Sequence, residues 1–372
     1  MGAAAGTIGG RAVSADCLKL TTYFGERERT PAGLLSDELM RLYGSRGIRT
    51  SVLLRGAEGF GAHHRLRSER LLTLSEDLPL VSVAVDRAER VEALVEPVLA
   101  LHRRGLVTVE RARIADGDLG ELGAALDGAG GGEQRKLTVY LARRARVNRM
   151  PAHPAAYLAV CELLRSGGLD GASVLLGVDG TRGGERERAR FFSRNADVPV
   201  MLIAVGAGER IAAVLPELAA LVGDAPLTLE RVRVCKRDGR LLERPDELPA
   251  VDARGRPLWR KLMVYTSQSA THDGHPLSRL IVRRLREAGA AGATTLHGIW
   301  GFHGARAPHG DRLLQVRRRV PALTVLVDTP ARVARAFEIV DELTAEHGLV
   351  TSEAVPVPRA ECEPGSRGGG TR

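Results

Sequence analysis

Aromatic residues make up only 3% of this 372-residue chain. That scarcity argues against a platform of stacked rings for single-stranded nucleic acid. Hydrophobic residues still reach 44%, so the cores must be aliphatic. Cysteine is scarce too: Cys17, Cys161, Cys235 and Cys362 form no CxxC pair. Neither a disulfide framework nor a thiolate zinc site is expected, and the thiols read as reduced and mostly buried. No run of about 18 apolar residues is available for a membrane span. The N-terminus lacks the basic start and long apolar core of a secretory leader, so a cytoplasmic protein is expected. Catalytic motifs are missing as well. There is no GxSxG, no HExxH and no Walker loop, and Glu26 and Glu28 lie among arginines as surface pairs. The chain reads as a non-enzyme.

The net charge is +9, from 54 basic and 45 acidic residues. The excess is almost all arginine and is spread along the whole chain. It therefore reads as general composition and not as a nucleic-acid face. The run Glu185 to Arg190 reads as a solvated surface for the same reason.

What the chain does have is an internal repeat. Lys19, Lys136 and Lys261 stand 117 and 125 residues apart. Gly56, Gly177 and Gly298 follow those lysines by 37, 41 and 37 residues. Pro79, Pro199 and Pro321 come 23, 22 and 23 residues later, and Thr108, Thr228 and Thr351 a further 29, 29 and 30. A period this long means whole domains, not stacking units.

Copy one reads as strands Leu18–Phe24, Thr50–Arg55, Leu78–Val85 and Leu106–Ile114, with helices near Pro31–Arg46 and Ala88–Arg103. Copy two gives strands Lys136–Leu141, Ala172–Leu176, Val198–Val205 and Leu227–Val234, with helices Ala155–Arg165 and Glu209–Leu221. Copy three gives strands Lys261–Thr266, Ala293–His297, Val320–Val327 and Leu349–Val355, with helices Leu277–Ala288 and Pro330–His347. The βαββαβ order predicts an α+β chain of three ferredoxin-like domains in tandem, at 17–114, 135–235 and 259–357. Tails and Gly-, Asp- and Pro-rich linkers take 1–16, 115–134, 236–258 and 358–372. Two helices on one face leave the other sheet face bare. Three copies can cover those faces mutually by closing into an intrachain pseudo-trimer, so the expected state is a monomer.

The residues Leu18-Lys19-Leu20, with Tyr23-Phe24-Gly25-Glu26, Val52-Leu53-Leu54-Arg55-Gly56, Gly59-Phe60-Gly61, Leu74 to Pro79 and Val107-Thr108-Val109-Glu110, closely resemble the domain-of-unknown-function 190 family, relatives of the PII signalling proteins. Copy three resembles it through Gly298, Gly301-Phe302-His303, Asp328-Thr329-Pro330 and Val350-Thr351. Copy two is degenerate, with Gly177, Gly180, Gly183 and Gly184 in place of the Gly-Phe-Gly pattern. The resemblance implies a trimeric ferredoxin-like assembly with a small anionic ligand, such as an adenine nucleotide, in the clefts between units. It also implies a loop after the second strand that touches a partner such as a membrane transporter or ion channel.

The candidate ligand site is Arg55, Gly56, Gly59, Gly61 and His63 in copy one, matched by Gly298, Gly301 and His303 in copy three. Glycines let backbone N–H groups approach an anion, and Arg55 adds charge. The bland reading of the same glycines is a strand end that bends. Lys19 and Lys261, with Lys136, read either as cleft cations that meet a phosphate or carboxylate, or as edge lysines that guard against aggregation. Two alternatives stay open. One is a metal-binding module using His272, His275, His297, His303 and His309 of copy three. The other is a non-catalytic structural interaction protein.

Overall fold

The computed structural model describes residues 17–61, 66–68, 77–102, 105–115, 126, 132–147, 153–188, 198–303, 309–310, 320–346 and 348–360. They form a mixed α+β chain of three repeated domains. Numbering strands longer than two residues, copy one runs β1 (Cys17–Gly25), α1 (Leu35–Ser45), β2 (Thr50–Arg55), β3 (Glu58–Phe60), β4 (Pro79–Arg87), α2 (Ala88–Leu101) and β5 (Leu106–Ala115). Copy two runs β6 (Gln134–Ala142), α3 (Ala156–Ser166), β7 (Gly171–Arg182), β8 (Pro199–Ala207), α4 (Gly208–Val222), β9 (Leu227–Arg231) and β10 (Arg233–Arg237). Copy three runs β11 (Leu258–Ser267), α5 (Leu277–Glu287), β12 (Ala293–His303), β13 (Pro321–Asp328), α6 (Pro330–Leu343) and β14 (Leu349–Pro356).

The helices follow from their apolar stripes. In α1, Leu35, Leu39, Met40 and Tyr43 are buried on one side, at the spacing that a helical face requires. Gly47, at φ +59°, lets the chain turn sharply after that helix. The first helix starts at Leu35, not near Pro31, because residues 29–34 form a small two-residue ladder instead.

Within copy one the strands lie in the order β2-β4-β1-β5, all antiparallel. Copies two and three repeat this as β7-β8-β6-β9 and β12-β13-β11-β14. The copies then join strand to strand at both sheet edges. On the outer edge β3 pairs with β12, β12 with β7, and β7 with β2. On the other edge β5 pairs with β9, β10 with β14, and Arg359–Ala360 beyond β14 returns to β5. Each copy is thus hydrogen-bonded to both others. Edges that would otherwise be open to foreign strands are occupied by the chain itself.

Four cores result. Three are helix-to-sheet cores, one per copy. The fourth gathers Val83, Val85, Met201, Ile203, Val325 and Val327 with other aliphatic residues from all three sheets. It covers the sheet faces that a single copy would leave bare. Trp259, at the end of the second linker, is buried in this shared core. No helix among the described residues is long and apolar enough to cross a membrane.

Candidate functional site where the copies meet

The shared core is aliphatic with a few aromatic rings, Tyr140, Trp259 and Tyr265, and charged groups enter it at the level of the repeated lysines. In sheet register Lys19 stands opposite Glu110, Lys136 opposite Glu230 and Lys261 opposite Glu353. Strand alternation sends each such pair into the space between the three sheets. There the six charges close a ring. Lys19 Nζ lies 2.7 Å from Glu110 and 2.6 Å from Glu230. Lys136 lies 2.6 Å from Glu230 and 2.5 Å from Glu353. Lys261 lies 3.0 Å from Glu353 and 2.5 Å from Glu110. Every lysine bridges its own copy's glutamate to that of a neighbour, and every residue of the ring is at most 7% exposed.

Burying one ion this deeply costs several kcal/mol, so partners must be complete. Burial alone works against the Lys19 ammonium, but Glu110, Glu230 and Glu353 outweigh it and hold its pKa well above the ordinary value. Lys261 is raised by the same balance, against burial, chiefly through Glu110 and Glu353. Burial likewise works against the Glu110 carboxylate, and Lys19, Lys261 and Lys136 overcome it, holding the group well below its usual range. Glu230 is lowered in the same way, against burial, by Lys136 and Lys19. Lys136 differs: burial moves it below the ordinary lysine value in spite of Glu230 and Glu353.

The ring is not symmetric in its supports. Thr21 and Thr108 donate to Glu110 Oε1 at 3.2 and 3.0 Å. Copy three has Met263 where copy one has Thr21, and Glu353 Oε1 is buried there with no hydrogen bond among the described residues.

Lys19 and Lys261 are therefore not edge lysines, and the carboxylates they meet between the copies are the chain's own. Both lysines sit on inner strands of their sheets, β1 and β11, and their donors are taken by carboxylates. The glutamates are not among the candidate site residues that sequence reasoning picks out, yet a signal for the whole ring does exist. Of the 54 basic residues only four are lysines. Three are in the ring, and the fourth, Lys236, is also buried and lies 2.5 Å from Asp341. A compact ammonium fits a narrow interior where a planar guanidinium does not.

The glycine segments lie at the outer seams. Gly56 N donates to Pro79 O and Ala57 N to Thr295 O, both at 2.8 Å. Gly59 stands in register with Thr294 of copy three. A Cβ on Gly59 would come 2.5 Å from Ala293 O. Gly180 and Gly301 repeat the geometry, with Ser51 O at 2.3 Å and Ala172 O at 2.2 Å. Gly56 and Gly298 are closed in by Pro79 and Pro321 at the start of the third strand. These four glycines of the candidate site, Gly56, Gly59, Gly298 and Gly301, are bare where strand backbone and proline rings approach closely. What reads in sequence as a loop after the second strand is in copies two and three a continuation of that strand, through Arg182 and His303.

The phenylalanines beside these glycines act as knobs. Phe60 of copy one enters the helix core of copy three, and Phe302 of copy three enters that of copy two. Copy two has Thr181 at this place, which bonds to Ser51 at 2.9 Å. Its charged run is a largely exposed surface, with Glu185, Arg186 and Arg188 exposed, and Arg186 reaches Asp179 at 2.5 Å and Asp37 of copy one at 2.6 Å.

The remaining candidates are dispersed. Arg55 is exposed and pairs with Glu26 at 2.9 Å. Gly61 is exposed, with nothing near its Cβ position. His303 is half-buried, with Nε2 3.1 Å from Thr266 O. His63 lies outside the described residues, as does the side chain of His309. Among the described residues the copy-three histidines do not gather into a metal-holding group. The three ring glutamates are close enough to one another to do so, but a cation there would meet three ammonium groups.

Three copies that pair through both sheet edges around a shared charged core define a tandem-domain protein built for contact between its units. Each copy matches the DUF190 family, described as Uncharacterized ACR, at residues 17–114, 134–234 and 259–357. The chain belongs to this family. It is also similar to a UPF0166 protein from Aquifex aeolicus (strain VF5), with 29% identity over 97 residues. That match spans 26% of this chain and 90% of the relative, so the relative has about the length of one copy.

Proposed function

We propose that this chain is a PII-like regulatory protein. Its three ferredoxin-like copies act as an intrachain pseudo-trimer. It binds a small anionic ligand between copies, an adenine nucleotide being the first candidate, and thereby modulates a partner such as a membrane transporter or channel. The observation that carries this reading is that every copy is strand-paired to both others around one ring of charges. A ligand wedged between two copies would act on a junction that the third also shares, which is the coupling a regulator needs. The single-copy length of the relative supports the same view: one chain here contains what separate units would supply.

The test is thermal unfolding with adenine nucleotides. At about 100 times its Kd, a ligand of the folded state adds about 2.7 kcal/mol, which for a chain of this size reads as a rise of several degrees. An unchanged Tm with every adenine nucleotide at millimolar concentration would remove the nucleotide from this reading.

A further inference from the structure

A cavity of about 1210 Å³ opens where the last strands of the three copies meet. Its lining includes Glu110, Glu230 and Glu353, so it reaches the charge ring from one side. β5, β9, β10 and β14 supply its walls, together with parts of both linkers. Nothing in the sequence marks it, because its walls come from segments more than a hundred residues apart.

Its charge balance decides what it can hold. Each carboxylate in the lining is already bound to a cation. The three ring glutamates have the ring lysines. Glu133 has Arg135 at 2.5 Å, and Glu243 and Asp246 have Arg233 at 2.6 and 3.0 Å. Asp252 has Arg256 at 2.9 Å. Two guanidiniums in the lining are different. Arg111 and Arg113 are exposed, and neither has an ion pair or hydrogen bond among the described residues. They are two residues apart on one strand, so they project from the same face, the one opposite to that of Glu110, about 7 Å from each other. The lining carries seven arginines and seven carboxylates, and this pair is where positive charge stands without a partner among the described residues.

We infer that this cavity, and not the glycine segments, is the site of a multiply charged anion, with Arg111 and Arg113 gripping its phosphate groups. Guanidinium presents paired donors that match phosphate oxygens. The volume admits a molecule of nucleotide size. A ligand there touches all three copies and both linkers. The inference rests on the reading of the protein as a receptor for a small anion, and it names where that anion sits.

Calorimetric titration with inorganic tripolyphosphate and with adenosine triphosphate tests it, on the full chain, on R111A/R113A and on R55A. Both arginines are exposed, so R111A/R113A should keep the Tm of the parent. The expected result is a Kd raised about tenfold or more for R111A/R113A, the loss of at least one charged hydrogen bond, with R55A unchanged. Equal weakening for both anions marks phosphate as the recognised group, whereas binding of the nucleotide alone adds a base contact elsewhere in the same cavity. A Kd lost in R55A but kept in R111A/R113A overturns the cavity while leaving the regulatory reading in place. No heat with either anion for the parent chain overturns both.

Discussion

Replacing Lys136 by Met destabilises the protein by about 3–5 kcal/mol, the cost of breaking a buried ion pair by removing one partner. The side chain is 1% exposed, and its ammonium lies 2.6 Å from Glu230 and 2.5 Å from Glu353. Without it, two carboxylates remain almost wholly buried with one cation fewer. Met has nearly the same volume, so packing loss is a minor contribution. Adding Glu230→Leu to Lys136→Met restores neutrality, so the double variant is less destabilised than the sum of the two singles. Urea midpoints of the four proteins give the coupling directly. Equal midpoints for the parent and Lys136→Met would show that the ring contributes nothing to stability.

The pH dependence follows from the directions of the shifts. Glu110 and Glu230 are lowered below the ordinary 4.5. Their contribution is complete above that value and is lost as pH falls through the lower folded values. Lys19 and Lys261 are raised above the ordinary 10.5. Theirs is complete below that value and is lost as pH rises through the higher folded ones. Stability from these groups is therefore level between about pH 5 and pH 10, and Glu110→Gln makes the fall on the acid side shallower.

Gly301→Ala costs about 3 kcal/mol, the sum of an overpacked contact and part of the burial of a neighbouring phenylalanine. The added Cβ would lie 2.2 Å from Ala172 O and 2.5 Å from Pro321 Cγ. Both are rigid, one being the backbone of another copy and the other a proline ring. The seam must open, and Phe302, 2% exposed in the helix core of copy two, is drawn out with it. Gly180→Ala meets Ser51 O at 2.3 Å and behaves alike. Gly61→Ala, with nothing within 4 Å, changes stability by less than about 0.5 kcal/mol. An opened seam also exposes strand edges, so the destabilised variants aggregate on heating where Gly61→Ala does not. Denaturation midpoints and turbidity read the two effects separately, and equal midpoints for Gly301→Ala and Gly61→Ala would deny the seam its role.

These two sites also show what sequence can and cannot reveal. The order of strands and helices was legible because apolar period and turn residues are local. The spacing of Lys19, Gly56, Pro79 and Thr108 with their counterparts showed three copies for the same reason. The role of the glycines was not legible. A residue without a side chain serves an anion or a neighbouring strand equally well, and only the position of Ala172 or Ala293 distinguishes them. Nor was the ring: Lys19 meets Glu230 across 211 residues of chain, a separation that no local pattern spans. The scarcity of lysine in an arginine-rich chain, four among 54 basic residues, sets these positions apart in the sequence but names neither their burial nor their partners.

Whether the three copies satisfy one another within a single chain is measured most directly by light scattering from the eluting peak of a sizing column. Because the outer and inner strand pairings already use both edges of every copy, the predicted mass is that of one chain, 39.9 kDa, unchanged on dilution. A mass of about three times that value, with chains exchanging copies as separate units would, contradicts a fold closed within one chain.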